Sequence, residues 1–224
     1  MIKLAYCNVE NLDLKKAYRL VSKNRQEKID FYRFDKDKKL SCGAYLLLKK
    51  LLSEKNIENP LFKTEEYGKA YISNHENIHF NLSHSEKMVL CAISDMEVGV
   101  DVEHIDPEID LNIAKQFFFN EEYCSIMKSD NPSDEFFKYW VLKESYMKYT
   151  GLGMNLKLDS FEIVIEDSIR LKNGDENLKF NLFNVADYKI GIASHYDVSE
   201  LIEYDVDELY WKKDEFKKNS EIDN

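Results

Sequence analysis

Two pairs of alternating apolar segments constrain this chain most: HFNLSHS with KMVLCAIS at residues 79–94, and KFNLFNVA with YKIGIASH at residues 179–195. A period of two sends successive side chains to opposite faces, so each pair predicts neighbouring strands joined by a short turn. EVGVDVEHID follows the first pair, and FEIVIE precedes the second. KMVLCAIS and YKIGIASH hold similar places in the chain, although short apolar strands also resemble one another by chance.

Helical patterns alternate with these strands. Ile2 to Val9 read as an opening strand, and Asn11 or Asp13 can cap a helix carrying Leu14, Tyr18 and Val21. From Asp35 to about Glu54, Leu40, Ala44, Leu47, Leu48, Leu51 and Leu52 form one stripe. Helical spacing resumes over Leu111 to Phe119, Glu121 to Lys128 and Asp134 to Tyr149. The order predicts an α+β fold of two similar halves in a pseudo-twofold arrangement, with the active site in the cleft between them. The expected division is residues 1–103 and 104–211, followed by a charged, apolar-poor tail at 212–224 that frays.

Composition limits the partners. Apolar residues make up 44% of the 224, enough for a packed core. A net charge of −11 opposes nucleic acid and anionic membranes, whereas a few cations focused in a cleft can still hold a small anion. No run reaches the ~18 to 20 apolar residues of a bilayer span, and the N-terminus lacks a secretory pattern, which predicts a cytoplasmic protein. Cys7, Cys42, Cys91 and Cys124 are scattered, signalling neither a zinc site nor a disulfide framework.

Three segments carry candidate chemistry. In GVDVE (residues 99–103), alternation puts Val100 and Val102 on one face and Asp101 and Glu103 on the other. Two carboxylates pointing one way suit a hard cation such as Mg²⁺; the plain alternative is an exposed acidic strand end. In WVLKESYMKYTGLG, Trp140, Glu144 and Lys148 share a helix face, which fits a metal ligand and a phosphate clamp, or a solvated salt bridge. His84 follows Ser83 at the end of an alternating strand, where it can meet a phosphate or play a structural part. A hydrolase triad is disfavoured, because no G-x-S-x-G elbow is present.

Together these segments resemble the Sfp-type phosphopantetheinyl transferases, whose signatures are a GVD-x-E strand and a W-x-x-K-E-[SA]-x-x-K helix. GVDVE and WVLKESYMK match both. The resemblance extends to NRQEKIDFYRFDKDKKLSCGAYLL, to EYGKAYI and to FNLSHS, covering roughly residues 20 to 195. Two departures stand out. Ala70 occupies the family's proline position after the GK lysine, and Asn24 and Glu27 fall where lysines are common, with Lys23, Arg25 and Lys28 beside them.

The resemblance implies transfer of 4′-phosphopantetheine from coenzyme A to a serine of an apo acyl or peptidyl carrier protein, with release of adenosine 3′,5′-bisphosphate. It implies Mg²⁺ held by Asp101, Glu103 and Glu144, Glu144 as the base for the carrier serine, and Lys148 and His84 on the phosphates. Gly68, Lys69 and Ser83 would line the nucleotide site, and Arg25, Lys28 and Lys39 would be candidates for the 3′-phosphate. A monomer with no nucleic-acid or membrane partner is expected. Phe117, Phe118 and Phe119 could dock the carrier or enter the core. Rival readings are a Mg²⁺-dependent pyrophosphohydrolase acting on coenzyme A-like nucleotides and a non-catalytic coenzyme A- or carrier-binding protein.

Overall fold

The computed structural model describes residues 1–210, so the expected tail at 212–224 lies outside the described residues. The first half runs β1 (Lys3–Asn8), α1 (Leu14–Tyr18), α2 (Lys23–Asp30), α3 (Asp35–Glu54), β2 (Phe62–Thr64), β3 (Ala70–Ile72), β4 (His79–Ser85) and β5 (Met88–Ser94). The same order then returns as β6 (Val98–His104), α4 (Asn112–Phe117), α5 (Asn120–Lys128), α6 (Pro132–Thr150), β7 (Ile163–Ile165), β8 (Ile169–Leu171), β9 (Lys179–Val185) and β10 (Tyr188–Ser194). Strand pairing repeats with it, as β1-β5-β4 and β6-β10-β9. Both long hairpins turn through two residues, the first with positive φ: Glu86 at 51° and Ala186 at 47°.

Periodicity explains the layers. Ala5 and Cys7 of β1, and Val9 just after it, face the α3 side, where they meet Leu47, Leu48, Leu51 and Leu52 of the leucine stripe. Leu4 and Tyr6 face the opposite way, with Leu90 and Ala92 of β5, and meet Val98, Val100, Val102, Ile190 and Ile192 of the second sheet. Sheet therefore packs on sheet through a wholly apolar layer, while α3 covers one outer face and α6 the other. After β10 the chain returns to the first sheet. β11 (Ile202–Glu203) pairs in parallel with β1, and α7 (Val206–Leu209) packs on α3.

α6 is buried on several sides rather than along one stripe, since Phe136, Phe137, Tyr139, Val141, Leu142, Lys143, Ser145 and Met147 are all enclosed. Asn131 caps its start through Asp134 N, and Gly151, at φ 74°, ends it in the left-handed conformation. Phe118 stacks on Phe136 at 5.7 Å and is core, whereas Phe117 is 49% exposed. The Phe117–Phe119 run therefore divides between interior and surface.

A fully buried ion pair fixes α6 to its surroundings. Lys143 Nζ lies 2.9 Å from Glu122 Oε2 and donates to the Leu158 and Phe161 carbonyls at 2.9 and 2.7 Å. Glu122 in turn accepts from the backbone N–H groups of Phe119 and Ile163. Burial raises the Glu122 pKa and lowers that of Lys143, and each partner's charge opposes that shift. Lys143→Met keeps the apolar stem but strands a buried carboxylate, so urea denaturation should show a loss of ~3–5 kcal/mol. A loss under ~1 kcal/mol would mean that the carboxylate finds water or another partner.

Candidate active site

The site begins at the seam between the two sheets. β6 is an edge strand, and its outward N–H groups need acceptors. They find them in side chains of β4: Val100 N–H donates to Asn81 Oδ1 at 2.9 Å, Val102 N–H to Ser83 Oγ at 3.4 Å and His104 N–H to Ser85 Oγ at 3.2 Å. Polar residues at every second position of FNLSHS thus close the edge of the GVDVE strand. Asn81 and Ser85 were not among the expected site residues, although the two-residue spacing of Asn81, Ser83 and Ser85 was the visible signal.

With Val98, Val100 and Val102 in the inter-sheet layer, Gly99, Asp101 and Glu103 turn toward α6. The alternative of an exposed acidic strand end does not hold for Asp101, which is only 2% exposed because α6 covers that face of the sheet. Ser83 Oγ donates to Asp101 Oδ1 at 2.9 Å, and Lys148 Nζ reaches the same oxygen at 2.6 Å and Ser83 Oγ at 3.0 Å. Asp101 Oδ2 is buried without a hydrogen-bond partner. Ser85 Oγ donates to Glu103 Oε2 at 2.8 Å.

The three carboxylates sense one another. Burial first, and then the Asp101 charge, push the Glu103 carboxyl up to about 7; Lys148 opposes this and Glu144 adds to it. Glu144 is likewise raised by burial and then by Asp101, against the pull of Lys148. Among the described residues no three His, Cys, Asp or Glu side chains converge as a finished metal cage. The donor set nevertheless fits a hard divalent cation: one orphaned buried oxygen and two carboxyls disfavoured as anions would all be relieved by a positive charge. Lys148, expected on the same face as Glu144, directs its ammonium to Asp101.

Beside this cluster is a cavity of about 280 Å³, lined by Tyr67, Gly68, Lys69, Phe80, Asn81 and Lys148 among others. Gly68, at φ 88°, makes the turn between β2 and β3. Lys69 Nζ donates to the Tyr149 carbonyl at the end of α6 at 2.9 Å and pairs with Glu97 at 2.5 Å; His79 Nδ1 lies 2.8 Å from the other Glu97 oxygen. A larger cavity of about 760 Å³ near β11 and α7 is lined by Asp13, Glu203, Asp205, Asp207 and Glu208. Its acidic wall repels a phosphate, so the smaller cavity, with two lysines, is the better anion site on chemical grounds.

The remaining expected residues lie at varying removes. His84 is open to solvent, but desolvation by the surrounding chain and then the Lys148 cation hold its pKa below the usual histidine value. The Arg25 guanidinium sits 5.3 Å over the Tyr45 ring; Tyr45 meets Phe62 at 6.2 Å, and Phe62 meets the cavity residue Phe80 at 5.6 Å. Lys28 is exposed, and Lys39 Nζ donates to the Glu10 carbonyl at 2.6 Å. Lys39 thus has a structural partner away from the carboxylates.

Two family models match adjoining stretches of the chain. Residues 97–193 match the 4′-phosphopantetheinyl transferase superfamily, and residues 8–96 match the family described as 4′-phosphopantetheinyl transferase, N-terminal. The chain is 43% identical to the 4′-phosphopantetheinyl transferase gsp of Aneurinibacillus migulanus over 64% of its length and 61% of the relative's. It is 37% identical to the 4′-phosphopantetheinyl transferase Sfp of Bacillus subtilis strain 168, over 62% and 65% of the two chains. With the 4′-phosphopantetheinyl transferase ffp of Bacillus subtilis it shares 34% identity over 67% of this chain and 69% of that one. The matches to gsp and Sfp thus span less than two thirds of those relatives.

The Glu103 carboxyl gives a pH prediction for metal-free protein. Its folded-state pKa of about 7 lies above the ordinary 4.5, so the folded state binds the proton more tightly and stability falls as pH rises through that window. Glu103→Gln should flatten this fall, with Glu144 leaving a residual slope of the same sign. Urea denaturation at stepped pH with a chelator present measures it, and an unchanged slope would show that Glu103 titrates normally.

Proposed function

The chain belongs to the 4′-phosphopantetheinyl transferase family, and from that premise we propose that it moves the 4′-phosphopantetheine of coenzyme A onto a serine of an apo acyl or peptidyl carrier protein. The observation that carries the reading is the divided Asp101 carboxylate: one oxygen is held by Lys148 and Ser83, the other is buried and unpartnered. A group of this kind, with Glu103 and Glu144 close enough to feel its charge, is poised to accept a cation beside a pyrophosphate.

Asp101, Glu103 and Glu144 would hold Mg²⁺, which when bound supplies positive charge to the pyrophosphate oxygens. Lys148, Lys69 and His84 present donors and positive charge to the phosphates, and Gly68 lets the β2–β3 turn approach the nucleotide. Arg25, Lys28 and Lys39 are assigned to the 3′-phosphate in the same proposal. Glu144 takes the proton of the carrier serine, directly or through one water, from its place on the α6 stripe beside Asp101 and Lys148. The serine oxygen then bonds to the phosphorus bearing pantetheine as the bond from that phosphorus to the bridging oxygen breaks. Adenosine 3′,5′-bisphosphate leaves with the electron pair.

Action as a monomer in the cytoplasm and the absence of a nucleic-acid partner belong to this reading. Among the described residues no helix is long and apolar enough to cross a membrane.

Intact-mass analysis of apo-carriers incubated with the chain, coenzyme A and Mg²⁺ tests the proposal. Addition of phosphopantetheine supports it, whereas coenzyme A cleavage without carrier modification would replace it with hydrolysis. Glu144→Gln should lower turnover by ~10² or more, since it keeps shape and removes the base. Lys148→Met should weaken transfer by removing the cation while keeping its stem. Both variants folded and retaining more than about half of wild-type turnover would remove Glu144 and Lys148 from the mechanism.

A further inference from the structure

α6 lies unusually close to the second sheet, and two glycines make that approach possible. A Cβ built on Gly191 of β10 would lie 2.5 Å from the Val141 carbonyl oxygen and 3.0 Å from Leu142 N. One built on Gly99 of β6 would lie 2.0 Å from the Ser145 carbonyl oxygen and 2.3 Å from Tyr149 N. These contacts are backbone on both sides, so rotation of a side chain cannot relieve them. Gly191 is also the cross-strand partner of Asp101.

Helix geometry links the seat to the site. Val141 and Ser145 rest on the glycines, and Glu144 and Lys148 follow them by three residues, on the adjoining stripe of the same side. The height of α6 over β10 and β6 therefore sets how far the Glu144 carboxyl and the Lys148 ammonium stand from Asp101. The helix is also tethered at its start, where Asp134 Oδ1 lies 2.8 Å from Lys189 Nζ. Lys189 is the cross-strand partner of Glu103.

We propose that Gly191 is a positioning residue: by lacking a side chain it seats α6 on β10 beside Asp101 and so holds Glu144 and Lys148 in register with the β6 carboxylates. The inference rests on the reading of these groups as one site, and Gly191 lies outside the two signature motifs. An added Cβ meets backbone of α6 and must displace the helix, and with it the stripe that carries Glu144 and Lys148.

The test compares Gly191→Ala with Gly43→Ala in the full chain. Gly43 of α3 occupies the other helix–sheet seam, where an added Cβ would meet the Val9 side chain at 2.5 Å. The first readout is Mn²⁺ affinity in the presence of coenzyme A, from the electron paramagnetic resonance of free Mn²⁺. Gly191→Ala should weaken it by roughly 10-fold or more, as for residues that orient metal ligands, whereas Gly43→Ala should stay within about twofold. The second readout is carrier modification, where displacement of the site should lower kcat by as much as ~10².

Wild-type Mn²⁺ affinity in folded Gly191→Ala, or an equal loss in Gly43→Ala, overturns the proposal. If Gly191→Ala fails to fold, Asp134→Ala replaces it: weaker Mn²⁺ binding restored in Asp134→Asn, which keeps an acceptor for Lys189, supports the seat, and unchanged binding overturns it. A wild-type chain that binds Mn²⁺ with the expected contrast but modifies no carrier would leave the seat standing and refute the transferase reading instead.

Discussion

The contact among Lys148, Asp101 and Ser83 is where the parts of this protein meet. It joins α6, β6 and β4, and hence the outer helix of the second half, the edge of its sheet and the edge of the first sheet. A carboxylate as buried as Asp101 is costly unless paired, and removing one partner of such a group costs ~3–5 kcal/mol. Lys148 and Ser83 satisfy one oxygen only. Stability is thereby reconciled with a second oxygen left buried and unpartnered.

Everything around that contact serves to hold it in place. The apolar layer between the sheets fixes β6 by its valines, so its alternate residues must turn toward α6. Side chains of β4 take the place of a backbone ladder at the β6 edge, bringing Ser83 and Ser85 within reach of Asp101 and Glu103. Lys69 secures the far end of α6 through the Tyr149 carbonyl, and the Lys143–Glu122 pair secures its middle. The site is thus built on strands and a helix from both halves, with the exposed Lys28 left at the periphery.

Much of the fold was legible because it follows from periodicity. The leucine stripe predicts Asp35 to about Glu54, and α3 occupies Asp35–Glu54; the alternating pairs become β4–β5 and β9–β10. The repetition of these elements was visible only as two similar strands, since neither half shares a long motif with the other. β11 escaped notice because two residues carry no period, and β2, β3 and β8, at three residues each, carry little more. Alternation correctly separates Asp101 and Glu103 from the valines, but it cannot tell that α6 buries Asp101. The Lys143–Glu122 pair was invisible for a related reason: its members are far apart in sequence, and each looks like an ordinary helix-surface charge until the fold encloses it. Gly191 reads as a weak point in a strand, and only the position of α6 gives it a purpose.

The net charge of −11 makes the location of the cations more informative than their number. Lys148 and Lys69 are both drawn inward onto carboxylates and a carbonyl beside one cavity, an arrangement suited to a phosphate that arrives with its own cation. The most direct measurement is a crystal structure of the chain with coenzyme A and Mn²⁺, located by its anomalous scattering. One anomalous peak is expected within coordination distance of Asp101 Oδ2, Glu103 and Glu144, with the pyrophosphate between that peak and Lys148. A peak elsewhere, or coenzyme A bound outside the cleft between the two sheets, would contradict it.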